Sequence, residues 1–404
     1  MDQTVITGMG VISSAGVGLD EFWNNLKAGK ITYGDIEEYK NNKNYRITVG
    51  ARVSDEKWKD NLNQEYRNKY GKASQYAVSA SLSALEDAGL RVGEYASDRI
   101  AIVIGTTMGE IQVEEEISLL RHSSGLEEIP QHLLKHYKTA NISCSVREAL
   151  QAEGPVYTVP AACAAGNYAM AFGKHLMEMG YADIVVAGGV DVFSRVAFTG
   201  FQRLLSLAPD ICRPFDKGRK GLVVGEGCGI AVLERESSAK ARGARIHGVL
   251  SGVGLSSDRY HMTSPHPDGD GAIRAMRSAL AEAGIMPGDI DYVSAHGTGT
   301  PANDRIECKA LEAVFGEGRI PPVSSIKSMI GHAMGAASSL ELIASIQMMR
   351  QGIMLPTINY SEPDPECRVD CVPNISRKES MKYILSNSFA FGGQVSSIVV
   401  KGGD

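Results

Sequence analysis

An α/β fold built from two similar halves is predicted by three features of the sequence. Short runs of β-branched residues alternate with long helical patterns, as in the strand candidate 100–104 and the helix candidate 162–179. This alternation favours largely parallel sheets covered by helices. The 44 glycines fall mostly at the ends of apolar runs, a distribution typical of tight turns between strands and helices. A chain of 404 residues is also long enough for two packed units.

The second half of the chain repeats the pattern of the first. TVITGMGVISSAG and IHGVLSGVGLSSD both open with a β-branched strand that runs into a glycine-rich turn. Each is followed by an amphipathic helix that ends in Ala-Gly, LSALEDAGL in the first half and SALAEAGI in the second. We therefore expect two α/β halves, residues 1–243 and residues 244–404.

Composition and charge exclude several classes of protein. The formal net charge of −6 argues against a general nucleic-acid binder, whose surface would be basic. The start MDQTVITGMG lacks the pattern of a signal peptide, and no apolar stretch reaches the ~18 residues of a membrane span. Seven cysteines without regular spacing are typical of reduced thiols. We expect a cytoplasmic protein that binds neither nucleic acid nor membrane.

Cys163 stands where a strand candidate meets a helix candidate, in YTVPAACAAGNYAM. The strand stops at Pro160 and a helix of small residues begins almost at the cysteine. Unpaired backbone N–H groups at a helix start stabilise negative charge, which is expected to lower the cysteine pKa. An arbitrary cysteine is more often a buried apolar residue, but this context favours a nucleophile.

Two histidines follow strand candidates in glycine-rich turns. His296 lies in DYVSAHGTGTPANDRIE and His332 in PPVSSIKSMIGHAMGAASS, with Lys327 in the second turn. Open α/β sheets place their ligand crevice at the carboxyl ends of strands. A thiol beside two imidazoles suits acyl transfer, because one group attacks while the others stabilise developing charge.

These segments resemble the β-ketoacyl-acyl-carrier-protein synthases and the related polyketide ketosynthases. The resemblance runs along essentially the whole chain, through VITGMGVISSAG, the AAC turn, CRPFDKGRKGLVVGEGCGIAVLE, HMTSP, AHGTGTPANDRIE, SSIKSMIGHAMGAAS and NSFAFGG. It implies the thiolase-like fold, in which two duplicated α/β halves stack as α-β-α-β-α and assemble as a dimer. It also implies a decarboxylative condensation of an acyl thioester with malonyl-acyl carrier protein.

The resemblance assigns roles residue by residue. Cys163 would be the nucleophile that becomes acylated. His296 and His332 would stabilise the enolate or thioester oxygen while the malonyl group loses carbon dioxide. Lys327 would orient this histidine network, and Glu307 would be the acidic residue that holds it.

Further roles concern the substrate arm and the acyl chain. The backbone N–H groups of Cys163 and Phe391 would form the oxyanion hole, and the Phe391 ring would gate the malonyl site. Thr298 and Thr300 would hydrogen-bond the phosphopantetheine arm. The remaining candidates for substrate binding are Met108, Phe198, Phe201 and Phe389.

The sequence departs from the family pattern in the segment NSFAFGGQV. Ala390 replaces a glycine, and Gln394 and Val395 replace Thr-Asn. Because alanine is stiffer than glycine, we expect the gate loop to open differently. The departures suggest a specialised secondary-metabolite or lipid synthase rather than a housekeeping fatty-acid elongase.

Three alternatives remain at this stage. A non-catalytic chain-length partner generally lacks the nucleophilic cysteine, which is present here. A thiolase acting on coenzyme A thioesters tends to carry a second cysteine near its C-terminus, where this chain has phenylalanines. A ketosynthase subunit that is active only in a heterodimer with a chain-length-factor-like partner is compatible with every residue above.

The expected partners are acyl carrier protein and a second subunit, identical or related. No metal and no cofactor is expected, since the substrates are carried on the phosphopantetheine of the carrier. An acidic carrier needs a basic docking patch, and solvated surface is the alternative explanation for such cations. The candidates for that patch are Arg67, Lys69, Lys72 and Arg203.

Overall fold

The computed structural model describes residues 2–124 and 129–403, and its helices and strands are numbered in chain order. The strands are β1 (Thr4–Ser13), β2 (Gly16–Val17), β3 (Gly34–Asp35), β4 (Val49–Ala51), β5 (Ile100–Gly105), β6 (Val156–Val159), β7 (Ile184–Asp191), β8 (Val224–Gly225), β9 (Gly227–Arg235), β10 (Gly248–Ser257), β11 (Tyr292–Ser294), β12 (Val323–Ser324), β13 (Ile353–Met354), β14 (Arg377–Lys378), β15 (Tyr383–Phe389) and β16 (Gln394–Gly402). The helices are α1 (Leu19–Lys27), α2 (Glu37–Lys40), α3 (Gln64–Lys69), α4 (Lys72–Asp87), α5 (Ile111–Ser123), α6 (Gln131–His136), α7 (Asn141–Ala149), α8 (Ala165–Glu178), α9 (Arg195–Arg203), α10 (Glu236–Ala241), α11 (Asp270–Ala283), α12 (Pro301–Phe315), α13 (Lys327–Ile330) and α14 (Ala337–Gln351). Of the helices in these two ranges, none combines the length and apolarity needed to cross a bilayer.

The main sheet repeats one topology twice. Its strand order is β12-β11-β15-β16-β10-β1-β9-β7-β5-β6, with β2 beside β1. Numbered by chain order within each half, both sets of five strands have the order 3-2-4-5-1. The two sets meet through β1 and β10, which pair only at Val5 with Val249 and at Ile6 with Gly248. The predicted duplication of an α/β unit is confirmed.

The sheet is mixed, and the expectation of largely parallel strands is right for only part of each half. The strands β6, β5 and β7 are parallel, as are β12, β11 and β15. The strands β9, β1, β16 and β10 run antiparallel to their neighbours. In the second half, β15 reaches β16 through a short turn, and such a turn can join only antiparallel strands.

Helices occupy three layers around the two sets of strands. Between the sets, α8 and α14 are buried along most of their length and share one apolar core with residues of both halves, including Leu233 and Ile398. On the outer faces, α4 and α7 cover the first set, and α11 and α12 cover the second. The result is the α-β-α-β-α stack that the family resemblance implies.

Two pairs of glycines allow the outer helices to lie directly on the strands. Gly8 and Gly10 of β1 face the backbone of α4, and a Cβ at either position would collide with a carbonyl oxygen of that helix. Gly252 and Gly254 of β10 face α11 in the same way. The sequence pattern predicts turns at these glycines, but they lie inside β1 and β10, where they are contact surfaces for helices at equivalent places in the two halves.

Two short turns at the centre of the molecule position the candidate site. The first is the 3₁₀ turn Ala162–Ala164, which follows β6 and leads into α8. The second is the 3₁₀ turn Met334–Ala336, which leads into α14. The two turns pack against each other, so the chain brings its two halves together where the inner helices begin.

Candidate active site

Cys163 lies in the turn before α8, at the floor of a cavity of about 360 Å³. Ala162 has a φ of 45°, which is uncommon for a residue with a side chain and marks a constrained turn. The hydroxyl of Ser388 donates a hydrogen bond to the carbonyl oxygen of Cys163, at 3.1 Å. The cysteine is 7% exposed, so the cavity gives it a narrow opening to solvent.

The expectation of a lowered pKa at Cys163 is wrong for the free protein. Burial raises the pKa of this thiol to about 12, although Lys327 and the backbone N–H groups of Cys163 and Phe391 act to lower it. The desolvation of the sulfur therefore outweighs the stabilisation offered by the start of the helix. The same two N–H groups lie where the resemblance implies an oxyanion hole.

His332 is held as a neutral imidazole whose free nitrogen is a donor. Its Nδ1 accepts a hydrogen bond from the backbone N–H of Met334 at 3.2 Å, so the proton of the neutral ring is on Nε2. Its own backbone N–H donates to the carbonyl oxygen of Val223 at 2.7 Å. Burial, together with the positive charge of Lys327, lowers the pKa of His332 well below 6.5.

His296 faces His332 across the cavity floor. The centroids of the two rings are 5.4 Å apart and the ring planes are inclined by 83°. Burial, Lys327 and His332 lower the pKa of His296 well below 6.5, in that order of effect. Among the described residues its Nδ1 has no hydrogen-bond partner. Two neutral imidazoles thus converge on one cavity, each able to donate an N–H bond to a substrate oxygen.

The two polar residues expected to support the histidines hold backbone rather than rings. The Nζ of Lys327 donates to the carbonyl oxygen of His296 at 2.6 Å. The carboxylate of Glu307 accepts from the backbone N–H groups of His296 and Gly297, both at 2.8 Å. Each residue fixes the turn that carries His296, which sets the direction of the ring.

Glu341 is a member of this network that the sequence prediction missed. It pairs with Lys327, and both side chains are almost fully buried. Burial raises the pKa of Glu341 to about 7, against the opposing effect of Lys327. The sequence did contain a sign of this buried carboxylate. Glu341 stands between two leucines, in LEL, and the positions around it on the helix are all apolar or small.

Asp191, at the end of β7, was also missed. Its carboxylate accepts from the hydroxyl of Thr106 at 2.8 Å and from the backbone N–H groups of Thr107 at 2.8 Å and Met108 at 2.9 Å. It also accepts from the N–H of Gly335 at 2.6 Å. One buried carboxylate therefore joins the first half to the turn before α14. A lone aspartate closing the apolar run IVVAGGVD was the signal in the sequence.

The cavity brings together most of the predicted substrate residues. Thr298 and Thr300 line it, with their hydroxyl oxygens 2.8 Å apart. The aromatic wall consists of Phe389, Phe391 and Phe201, and the last two rings lie 5.8 Å apart. The loop HMTSP, to which no role was assigned from the sequence, forms another part of the wall.

Met108 and Phe198 do not line this cavity. Met108 is partly buried and packs against the apolar core under α4. Phe198 is fully buried in an aromatic cluster with Tyr39 and Phe193. The structure thus places these two predicted pocket residues outside the lining of the cavity, while Phe201 and Phe389 form part of it.

The segment around Phe391 shows no strain at Ala390. That residue has φ −136° and ψ 153°, extended values that any residue adopts. The left-handed positions are Gly392 and Gly393, with φ of 81° and 80°. The turn therefore accommodates alanine at position 390 without strain, because the positions that need glycine still have it, and the expected change in loop opening stays a prediction.

The cations proposed for carrier docking are largely engaged within the chain. Lys69 forms an ion pair with Glu148, and Lys72 forms one with the buried Glu226. Arg67 donates to a backbone carbonyl oxygen. Arg203 instead lines a separate polar cavity on the far side of α9. In the described parts of the chain, no three His, Cys, Asp or Glu side chains converge as a metal site would require.

Comparisons with known proteins agree with this geometry. Residues 1–239 match the family model for the beta-ketoacyl synthase N-terminal domain, and residues 247–361 match that for the C-terminal domain. The chain is 36% identical to 3-oxoacyl-[acyl-carrier-protein] synthase 2 of Staphylococcus aureus (strain COL), over 99% of this chain and 98% of that protein.

Two solved structures cover all of this chain and are covered completely by it. One is the ishigamide ketosynthase/chain length factor, with 38% identity and a TM-score of 0.96. The other is AntDE:AntF, a type II PKS acyl-carrier protein in complex with its ketosynthase bound to the hexaketide, with 32% identity and a TM-score of 0.92.

Proposed function

The chain belongs to the beta-ketoacyl synthase family, and we propose that it joins an acyl group held on Cys163 to a malonyl group on acyl carrier protein, with loss of carbon dioxide. The observation that carries the proposal is the fixed tautomer of His332. Because its Nδ1 accepts from Met334, its Nε2 can only donate. A donor beside a thiol is what an enolate-forming condensation requires.

The first step is transfer of the acyl group. The sulfur of Cys163 attacks the thioester carbonyl, the bond to the carrier sulfur breaks, and the proton of the Cys163 thiol leaves with the carrier thiol. The tetrahedral oxyanion accepts hydrogen bonds from the backbone N–H groups of Cys163 and Phe391, which already lie beside the sulfur. Because the resting thiol is neutral, it loses its proton as it attacks.

The second step is loss of carbon dioxide from the malonyl thioester. As the carbon–carbon bond to the carboxylate breaks, its electrons form an enolate whose oxygen accepts N–H bonds from His296 and His332. Both rings are neutral near pH 7 because their pKa values lie well below 6.5. The enolate carbon then attacks the acyl carbonyl on Cys163 and releases the sulfur as a thiolate, which takes up a proton from water to restore the neutral thiol.

Thr298 and Thr300 are proposed to bind the phosphopantetheine arm that carries both substrates. Both residues line the cavity with Cys163 and the two histidines, and their hydroxyl oxygens are 2.8 Å apart. The chemistry above needs no cofactor beyond this arm.

The proposal includes a cytoplasmic location, which is supported by seven cysteines that are all free thiols. The boundary between the halves near residue 243 stays a prediction, supported by the equal strand orders on either side of it.

Intact-protein mass spectrometry tests the nucleophile. Incubation with an acyl-carrier donor is expected to add one acyl group, which peptide mapping locates on Cys163, and Cys163→Ala abolishes the adduct. Cys144→Ala is the matched control, because Cys144 is an exposed thiol that non-specific acylation would reach first. Turnover by the protein with Cys163 unmodified would refute the proposal.

A second candidate is a catalytic subunit that needs a chain-length-factor-like partner. The likeness to the ishigamide ketosynthase/chain length factor favours it. Expression of this chain alone, followed by sizing and a condensation assay, separates the two. An active homodimer excludes the second candidate, whereas a stable but inactive chain that a related subunit activates supports it.

A further inference from the structure

Lys220 is a cation at the cavity mouth that the proposed mechanism does not use. It is exposed, and it lines the same cavity as Thr298, Thr300 and Cys163. Within residues 2–124 and 129–403 it takes part in no ion pair. An unpaired ammonium at the edge of a substrate cavity is available to an anionic ligand.

The backbone on both sides of Lys220 is fixed to the loop that holds the two threonines. On one side, Arg219 is buried, pairs with Asp364 and donates to the carbonyl oxygen of Pro301. On the other side, the N–H of Gly221 donates to the carbonyl oxygen of Gly299 at 3.0 Å. Gly221 has a φ of 150° and no space for a Cβ, so this segment cannot shift as a surface loop would. The Cα of Lys220 is thus held at a set place relative to Thr298 and Thr300, and its side chain lines the cavity from there.

One carboxylate, that of Asp258, also lines the cavity, but its hydrogen bonds are made to backbone N–H groups. Asp258 accepts from the backbone N–H groups of His266 at 2.9 Å and of Gly271 at 3.0 Å. It therefore stabilises its own loop rather than neutralising Lys220. The chain as a whole has a net charge of −6, so the unpaired cation at the cavity mouth is a local positive charge on a negatively charged protein.

We propose that Lys220 binds the phosphodiester of the phosphopantetheine arm. The inference rests on the proposed function and extends it from the thiol end of the arm to its anionic end. With the two threonine hydroxyls on the neutral middle of the arm and an ammonium on its phosphate, the cavity fixes the arm at two places. Lys220 acts on affinity for the donor and on its placement, and takes no part in the chemical step.

The test compares two donors that differ only in the phosphate, acyl-pantetheine 4′-phosphate and acyl-pantetheine. The rate of Cys163 acylation is measured by intact mass. A charge-assisted bond is expected to give the wild-type chain a preference of about tenfold to a hundredfold in kcat/KM for the phosphorylated donor. Lys220→Gln is expected to reduce this preference to within about twofold, with the rate for acyl-pantetheine unchanged. The preference of the wild type should also fall as salt is raised, because the site is open to solvent.

Lys217→Gln is the matched control, since Lys217 lies three positions away, is exposed and pairs with Glu362 outside the cavity. It should keep the wild-type preference. A preference that persists in Lys220→Gln overturns the proposal. The proposal is also overturned if Lys220→Gln slows the acylation of Cys163 by carrier-bound donors but not by free acyl-pantetheine 4′-phosphate, because Lys220 would then contact the carrier protein itself.

Calorimetry with unacylated phosphopantetheine and pantetheine separates this inference from the proposed function. It reports the phosphate preference whether or not any acyl group is transferred. Absence of acylation with every donor would defeat the proposed function, while equal binding of the two ligands to the wild type would defeat the role of Lys220.

Discussion

The turns that lead into α8 and α14 have similar backbone conformations but carry different side chains. Ala162 and Met334 both open a 3₁₀ turn with a positive φ, 45° and 50°, and both turns run straight into a buried helix. The next residue is Cys163 in the first half and Gly335 in the second. Near the second turn the chain places His332 instead. The framework of this molecule is therefore duplicated, while the groups proposed to react are divided between the copies.

The surroundings explain why the second turn carries glycine. A Cβ on Gly335 would lie 2.6 Å from a carboxylate oxygen of Asp191 and 2.8 Å from the backbone nitrogen of Thr107. The first turn instead opens into the cavity, which leaves room for the side chain of Cys163. Five predictions test this division of labour, from the largest expected effect to the smallest.

Loss of an imidazole should affect decarboxylation most strongly. In a Cys163→Gln background, which retains both rings, His332→Ala or His296→Ala is expected to slow malonyl decarboxylation by about 10²–10³-fold, the usual cost of one lost oxyanion donor. Release of carbon dioxide measures the rate. His122→Ala, on the exposed side of α5, should have no effect, and full decarboxylation in both active-site variants would show that the rings do not stabilise the enolate.

Lys327→Met should destabilise the half that carries the histidines. Removal of one member of a buried ion pair typically costs about 3–5 kcal/mol. We expect about 2–3 kcal/mol here, because Glu341, with a pKa of about 7, takes up a proton when its partner is lost. Chemical denaturation gives the free energy of unfolding. Lys40→Met, which removes an exposed pair with Glu37, should change it by less than about 0.5 kcal/mol, and equal losses would count against a buried network.

Gly335→Ala should show that the second turn has no room for a side chain. Its neighbours are backbone and a fully hydrogen-bonded carboxylate, so overpacking of about 1–3 kcal/mol is expected. Thermal unfolding measures the loss. Gly200→Ala is the control, because nothing lies within 4 Å of its Cβ position, and it should be neutral or slightly stabilising. If the Gly335→Ala protein were as stable as wild type, lack of space would not explain why the second turn carries glycine.

Ala390→Gly should have a small effect on stability and little effect on rate. The extended backbone at Ala390 suits either residue, so the change acts mainly by increasing the entropy of the unfolded chain, at about 0.4–1 kcal/mol. Condensation should stay within about twofold of wild type in a steady-state assay. A larger gain in rate would mean that Ala390 limits the movement of Phe391 after all.

The smallest expected effect is that of pH on decarboxylation. Both histidine pKa values are lowered well below 6.5, so the rings stay neutral, and able to donate, from pH 8 down to pH 6. Apart from a small step near pH 7 from Glu307 and Glu341, whose pKa values are about 7, the rate of the Cys163→Gln variant should be flat over this range and fall only at lower pH, as the rings gain protons. An acid limb centred near 6.5 would show that at least one ring is solvated.

Much of this site could be predicted from sequence because its reacting residues follow strands and precede helices. Cys163, His296 and His332 stand in such segments. The neighbouring strands β11 and β12 bring the two histidine segments together, and the packed turns before α8 and α14 bring Cys163 to them. Asp191 and Glu341 could not be found in this way, since each lies inside an apolar run and gains meaning only from partners far along the chain. The pKa of Cys163 was mispredicted for a related reason. A helix start is visible in sequence, whereas the depth at which a sulfur is buried depends on the whole fold.

The sheet order was equally hard to read from local pattern. The 3-2-4-5-1 arrangement depends on long connections, and the antiparallel strands β9 and β16 look as apolar as the parallel ones. The weak likeness between the two halves was informative because it reflects repeated contacts, such as those of Gly8 and Gly252 with their covering helices.

The position of β16 has a consequence for how the chain is made. This strand is the last element of the fold, and it lies between β15 and β10, directly after the turn of Phe391. The ribosome therefore makes the backbone N–H of Phe391, the second donor of the proposed oxyanion hole, after Cys163 and both histidines. Removal of β16 would take away the strand that pairs with both β15 and β10, and the turn of Phe391 would lose the strand that follows it.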